Sequence, residues 1–268
     1  MGRGRWEPAT TNGSVTSPPT RDVVSQIEAQ LRARGFAYFP TFCSGSRGLL
    51  KVARALGAVA ETRSPTDVKR VLETRPSAAA PVDAPFDRPE AIGWHNDFST
   101  RASRPQLSLA YVERADPRGT AHGAWRAASC RLVLARLAAS VDGRRVARFL
   151  THTALPYSFA NDQAPSMFRA IERPGRGECF GLRFYGRAMR DGARLVCGSV
   201  PAEWENAIRA VETAADDVGV ILPAPSGALL VADNWYCLHD RLAQSVDRDL
   251  PLRRALLCFV AERHRNLQ

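Results

Sequence analysis

Within Gly93-Trp94-His95-Asn96-Asp97-Phe98-Ser99, an imidazole and a carboxylate stand two residues apart. In extended backbone successive side chains alternate faces, so His95 and Asp97 would point the same way and can grip one metal ion. A third donor must then come from elsewhere. Far downstream, Asp233-Asn234-Trp235-Tyr236-Cys237-Leu238-His239-Asp240-Arg241 follows an apolar run and offers His239. Two imidazoles and one carboxylate, with coordination positions left open, form the facial triad of non-haem Fe(II) sites. Cys237 lies two residues from His239 and is a weaker candidate for the same face.

The remainder of the chain must bring His239 back to His95 and Asp97. Residues 1–20 are rich in Gly, Ser, Thr, Pro and Arg and read as a disordered leader; residues 21–268 read as a single domain. A helix is expected over 21–34, with Val23, Val24, Ile27 and Leu31 on one face and Gly35 at its end. A strand over 36–39 stops at Pro40, and a second helix over 45–56 ends at Gly57. Between 58 and 89 the prolines at 65, 76, 81, 85 and 89 argue for a loop. Its position just before His95 suggests part of a lid or mouth. Further strands are expected over 107–112, 145–153, 178–185, 218–222, 228–232 and 254–261, and helices over 129–139 and 201–214. Helices crowd the first half and strands the second, an order that favours an α+β fold with a β-sandwich or barrel and flanking helices. Neither βαβ alternation nor a glycine-rich phosphate loop is present.

Composition narrows the class. The 268 residues are 45% hydrophobic and 24% charged, enough for an ordinary core without disulfide or metal staples. No run approaches about 18 consecutive apolar residues, so no membrane helix is expected. The basic N-terminus lacks an apolar signal region, which points to the cytoplasm. The net charge of +10 is nearly all arginine, since Lys51 and Lys69 are the only lysines. The arginines are scattered, which favours a solvated surface over a nucleic-acid patch, while still suiting an anionic small molecule. The six cysteines form no CxxC pair, and most of them read as small buried residues.

The order Trp94-His95-Asn96-Asp97, then Asp233-Asn234 to His239-Asp240-Arg241, then Leu252-Arg253-Arg254 resembles the TauD/TfdA-type Fe(II)/2-oxoglutarate-dependent dioxygenases of the clavaminate synthase-like superfamily. Their pattern is W-H-x-D, a distal H-x-R after a D/N-rich turn, and an arginine further on. The resemblance spans about residues 26–260 and implies a double-stranded β-helix (jelly-roll) core. It implies that His95, Asp97 and His239 bind Fe(II), leaving positions for 2-oxoglutarate and O2. It also implies that an arginine pairs with the far carboxylate of 2-oxoglutarate. Arg254 is favoured over Arg253, because adjacent strand residues face opposite ways. Arg241 is expected to pair with a carboxylate or brace its loop. The family's G-G-x-T turn falls at Pro117 to Trp125, where Thr120 takes the threonine position but Pro117 and Arg118 replace glycines. His122 and Trp125 are the alternatives there, whereas His152 and His264 read as structural or exposed.

The resemblance further implies that 2-oxoglutarate is decarboxylated to succinate and CO2 while an unactivated C–H bond of a small, anionic or amino-acid-like molecule is hydroxylated, with specialised metabolism as the expected setting. Asp97 disfavours halogenation, because related halogenases carry Gly or Ala there. Desaturation, cyclisation or epoxidation remain open, as does oxidation of a nucleic acid or protein. A non-catalytic binding module is opposed by the intact triad. Pocket candidates are Phe98, Asn161, Arg183, Tyr185 and Trp235. Oligomeric state is not legible.

Overall fold

The computed structural model describes residues 21–42, 45–64, 67–80, 84–159, 164–173, 179–247 and 249–264. The leader expected over 1–20 and the pocket candidate Asn161 lie outside them. The chain opens with α1 (Arg21–Arg34), β1 (Phe36–Phe39) and α2 (Gly45–Leu56), as the apolar spacing predicts. Gly35 ends α1 at φ 81°, where a Cβ would lie 2.4 Å from the Tyr236 carbonyl oxygen. The stretch expected to be a loop instead begins with four three-residue strands: β2 (Gly57–Val59), β3 (Thr62–Ser64), β4 (Asp67–Lys69) and β5 (Leu72–Thr74). Next come β6 (Leu107–Arg114), β7 (Trp125–Ser129), α3 (Cys130–Ala138) and α4 (Val141–His152). They are followed by β8 (Ala154–Tyr157), β9 (Ser166–Arg169), β10 (Ile171–Glu172), β11 (Gly181–Leu182), α5 (Gly186–Cys197) and α6 (Ala202–Val218). The chain closes with β12 (Val220–Leu222), β13 (Leu229–Asp233), β14 (Cys237–Arg241) and β15 (Arg254–Arg263).

Two expectations are corrected. The strand expected over 145–153 is the helix α4. Val146, Phe149 and Leu150 stand at i, i+3 and i+4, a helical stripe that packs on the helical core. Its N-cap Ser140 accepts a hydrogen bond from the Gly143 amide at 2.9 Å. Helices are also not concentrated early, because α3 to α6 all lie between residues 130 and 218. α5 escaped the sequence reading because glycines interrupt it. Gly192 is what lets the helix meet β8 closely, since a Cβ there would sit 2.6 Å from the Pro156 oxygen.

The major sheet runs β1-β13-β6-β15-β2, with β5 also paired to β15; a smaller sheet runs β12-β7-β14, and every pairing between described strands is antiparallel. β13 shows how the layers stack. Leu229 and Val231 face α1 and α2, while Leu230 and Ala232 face the smaller sheet. On β14, Cys237 faces the space between the sheets, and Leu238 faces α3 to α6. His239 shares the side of Cys237 by strand alternation. The fold is therefore a mixed α and β one, two antiparallel sheets with helices outside both. Among the described residues, no helix is long and apolar enough to cross a membrane.

Two fully buried asparagines lock the 93–99 segment in place. Asn234 accepts from the Asp97 amide and donates to the carbonyls of Asp97 and Pro105, at 2.8, 2.8 and 3.1 Å. Asn96 donates to the Cys237 carbonyl and accepts from the Phe184 amide, at 2.8 and 2.9 Å. Removing the Asn234 amide strands three buried backbone groups at once. Asn234→Ala is expected to lower the unfolding free energy by about 3 kcal/mol or more. The check is a fall in urea midpoint at unchanged slope.

Candidate metal centre and co-substrate cavity

His95 does not lie in a named strand but forms an isolated antiparallel bridge with His239. The His95 amide donates to the His239 carbonyl and the His239 amide to the His95 carbonyl, each at 2.9 Å. This reciprocal pair sets the two rings 4.4 Å apart, centroid to centroid. Asp97 lies beneath them, Oδ1 3.7 Å from His95 Nε2 and Oδ2 3.2 Å from His239 Nε2. Ligand atoms of all three residues lie within 4.8 Å of one another.

The chemistry of this cluster fits a cation. His95 Nε2 and Asp97 Oδ1 are buried without a hydrogen-bond partner, an arrangement native proteins avoid unless something fills it. His95 Nδ1 lies 2.8 Å from the Gly93 carbonyl; donation to it fixes the tautomer that leaves Nε2 free to ligate. Burial alone would make the Asp97 carboxylate harder to ionise. The imidazoles of His239 and His95 outweigh burial and hold it well below the usual carboxylate range. Burial would likewise depress His95, but Asp97 and the Gly93 carbonyl raise it above the ordinary imidazole value of 6.5.

Behind the ligands stands a network the sequence reading missed. The fully buried Asp240 accepts from the Gly93 amide at 2.8 Å and from Arg126 Nε and Nη2 at 2.9 and 2.7 Å. Asp216 on α6 accepts from Trp94 Nε1 at 2.9 Å and from Arg126 Nη1 at 2.6 Å. The Arg126 guanidinium lies over the Trp94 ring at 4.5 Å. One arginine thereby joins the neighbours of both histidine ligands to α6. The position of Arg126 opposite Asp240 comes from the pairing of β7 with β14, which has no local signature in the sequence.

The triad opens into a cavity between the sheets, lined also by Phe86, Ile92, Trp125, Arg241, Arg253 and Phe259. Arg253, not Arg254, faces this cavity. Arg254 begins β15 on the side of Leu256 and Cys258, and is paired with Glu73 and Glu113 outside. Arg253 is 2% exposed, its Nε has no partner, and it makes no ion pair among the described residues. Burial and the neighbouring Arg241 push its pKa down to about 9. A Cβ on Gly123 (φ 64°) would lie 2.8 Å from Arg253 Cδ and Nε, so glycine there clears the arginine's path. Trp125 faces Arg253, ring to guanidinium 6.0 Å.

Other candidates fall elsewhere. Thr120 is exposed on a turn and outside the cavity wall, which removes it from the expected contact with 2-oxoglutarate. His122 is exposed as well. Arg241 is buried and braces its surroundings, its Nη2 donating to the carbonyls of Pro85, Arg88 and Glu90 at 3.3, 2.7 and 3.0 Å. Gln244 adds bonds to the Phe86 and Arg88 carbonyls, so segment 84–90 is tied to the strand that carries His239. Arg183 is spent on Glu172 and on the carbonyls of Ser99 and Arg101. Trp235 lies beneath Arg104 at 3.8 Å, outside the cavity wall. Tyr185 packs on His95 at 5.4 Å. Phe98 holds φ 57°, a rare conformation for a bulky residue. A larger hollow between α3, α4 and α6 is a surface groove far from these ligands in the fold.

The family model described as "Taurine catabolism dioxygenase TauD, TfdA family" matches residues 4–256. The chain belongs to that family and is a dioxygenase dependent on Fe(II) and 2-oxoglutarate. A search of curated protein sequences finds no match. Among solved structures, asparagine oxygenase in complex with Fe(II), 3-hydroxyasparagine and succinate is similar at TM-score 0.71 and 17% identity, over 90% of this chain and 78% of that one. The non-heme iron oxygenase OrfP with Fe, succinate and (3R,4R)-dihydroxy-L-Arg gives 0.66 and 14%, over 90% and 81%. A taurine dioxygenase from Burkholderia xenovorans gives 0.62 and 18%, over 93% and 85%. At such identities the likeness is one of fold.

Arg126→Ala is expected to weaken Fe(II) binding roughly 10- to 100-fold, as losses of groups that orient ligands do. Each bound ion must also displace the proton that Asp97 stabilises on His95. Affinity is therefore expected to fall as pH drops, beginning above 6.5 rather than at it. Isothermal titration with Fe(II) under anaerobic conditions, run across pH, checks both.

Proposed function

We propose that this dioxygenase hydroxylates an unactivated C–H bond of a small, amino-acid-like molecule, with His95, Asp97 and His239 as its metal ligands. The observation that carries the reading is the convergence of three buried donors on a cavity where Arg253 makes no ion pair among the described residues and Arg241 bonds only to carbonyls. Fe(II) supplies the centre at which O2 is activated as 2-oxoglutarate is decarboxylated to succinate and CO2. Arg253 holds the far carboxylate of 2-oxoglutarate, in place of the expected Arg254. A buried cation without a counter-ion is unfavourable, and an incoming carboxylate relieves it. Trp125 flanks that pair, and Gly123 gives the side chain room.

Several further features support the reading. The apolar residues between the sheets keep water from the site. The triad's burial suits a small molecule better than a nucleic acid or a folded protein. The amino-acid products named for asparagine oxygenase and OrfP motivate the substrate class. We read the facing antiparallel sheets as a double-stranded β-helix forming a single domain after the first 20 residues. A cytoplasmic location fits the absence of a membrane-spanning helix among the described residues. Hydroxylation is preferred to halogenation because Asp97 fills the ligand position.

Adding Fe(II) and 2-oxoglutarate anaerobically is expected to produce the weak visible charge-transfer band of the chelate. Arg253→Ala should raise the 2-oxoglutarate concentration for half-maximal band about 10- to 100-fold, the worth of a lost charge-assisted pair. Gly123→Ala should act in the same direction, and Arg254→Ala, on a surface pair, should change it by no more than about threefold. A defect with Arg254→Ala and none with Arg253→Ala would reverse the assignment.

A further inference from the structure

The wall beside the triad is mostly aromatic and apolar, with Thr74, Ser108, Asp240, Arg241 and Arg253 as its polar members besides the metal ligands. Phe86, on the segment tied down by Arg241 and Gln244, has its ring centroid 6.3 Å from that of His95. Phe86 and Phe159 pack with Ile92, Tyr185 and Ala188 in one apolar cluster. Phe259 also lines the cavity, and Phe98 stands edge-on to it at 5.0 Å. Phe98 is 38% exposed and keeps its φ of 57° beside a metal ligand. Strained residues of this kind gather at ligand-binding positions.

The charged groups of the cavity are otherwise engaged. Arg241 is bonded to lid carbonyls, and Asp240 to Arg126 and the Gly93 amide. Arg253 is reserved for the co-substrate. Besides the metal ligands, the buried lining atoms left without a hydrogen-bond partner among the described residues are Ser108 Oγ, Arg241 Nε and Arg253 Nε, so a charged substrate group brought beside the triad would lose its water for few new contacts.

We propose that the group presented to the metal is uncharged, an aromatic ring or bulky apolar chain held by Phe86, Ile92 and Phe259. This rests on the oxygenase reading above and narrows its substrate from amino-acid-like molecules in general to those with an apolar body. Aromatic walls favour such groups through buried area and edge-to-face ring contacts.

The test uses the full chain with Fe(II) and 2-oxoglutarate, anaerobically, following the visible band during titration. Three probes are compared: N-acetyl-L-phenylalaninamide, taurine and L-arginine. The neutral aromatic probe is expected to shift the band, and the two charged ones to leave it unmoved. Phe86→Ala should weaken the aromatic response roughly tenfold or more, and Phe86→Leu by less, each read relative to that variant's own band before the probe is added. A response to taurine or arginine matching or exceeding the aromatic one overturns the proposal, with the oxygenase reading intact. So does a failure of the aromatic probe to move the band, or a response indifferent to Phe86→Ala. No band before any probe is added removes the oxygenase reading and this proposal together.

Discussion

Two hydrogen bonds between the main chains of His95 and His239 carry the site. They join a segment outside the named strands to β14, and so place two imidazoles side by side above Asp97. Neither bond depends on the imidazole side chains. The surrounding bonds act on the same joint. Asn96 and Asn234 fasten the backbone on either side of it, and Asp240 with Arg126 fastens Gly93 to the strand that carries His239. A metal site built this way has its geometry set by folding energy rather than by the ion.

The convergence of His95, Asp97 and His239 was legible because a metal site needs particular residue types at a particular spacing. His95 and Asp97 share a face by alternation, and a lone histidine after an apolar run supplies the third donor. The choice between Arg253 and Arg254 was not legible. Both faces of β15 are apolar, Leu256 and Cys258 outward and Ala255, Leu257 and Phe259 inward, so alternation gives no sign of which side is the cavity. The decisive facts are partners distant in sequence: Glu73 and Glu113 hold Arg254 outside, and Gly123 opens a path for Arg253. Thr120 failed for a related reason. A motif position inherited from a family says nothing of where a turn with different glycines will point.

The elements show the same division. α1, β1 and α2 follow from local apolar spacing and end where glycine or proline requires. The segment over 145–153 was lost to its aromatic and β-branched content, although its i, i+3, i+4 stripe was present. α5 depends on Gly192 packing against β8, a tertiary contact with no local signature. The arginine-rich composition also acquires a meaning that net charge cannot give. Arg104, Arg126, Arg183 and Arg241 reach into the molecule and bond carbonyls or carboxylates there, so these four serve cohesion rather than recognition of an anionic partner.

The central claim is that one ferrous ion sits where His95, Asp97 and His239 converge, with open positions facing Arg253. Anomalous diffraction from crystals loaded anaerobically with Fe(II) and 2-oxoglutarate tests it directly. The account predicts a single iron peak per chain, contacted by both imidazole Nε2 atoms and the Asp97 carboxylate, with the co-substrate's far carboxylate on Arg253. Iron bound at other residues, or at this site with all six positions filled by protein atoms, would contradict it.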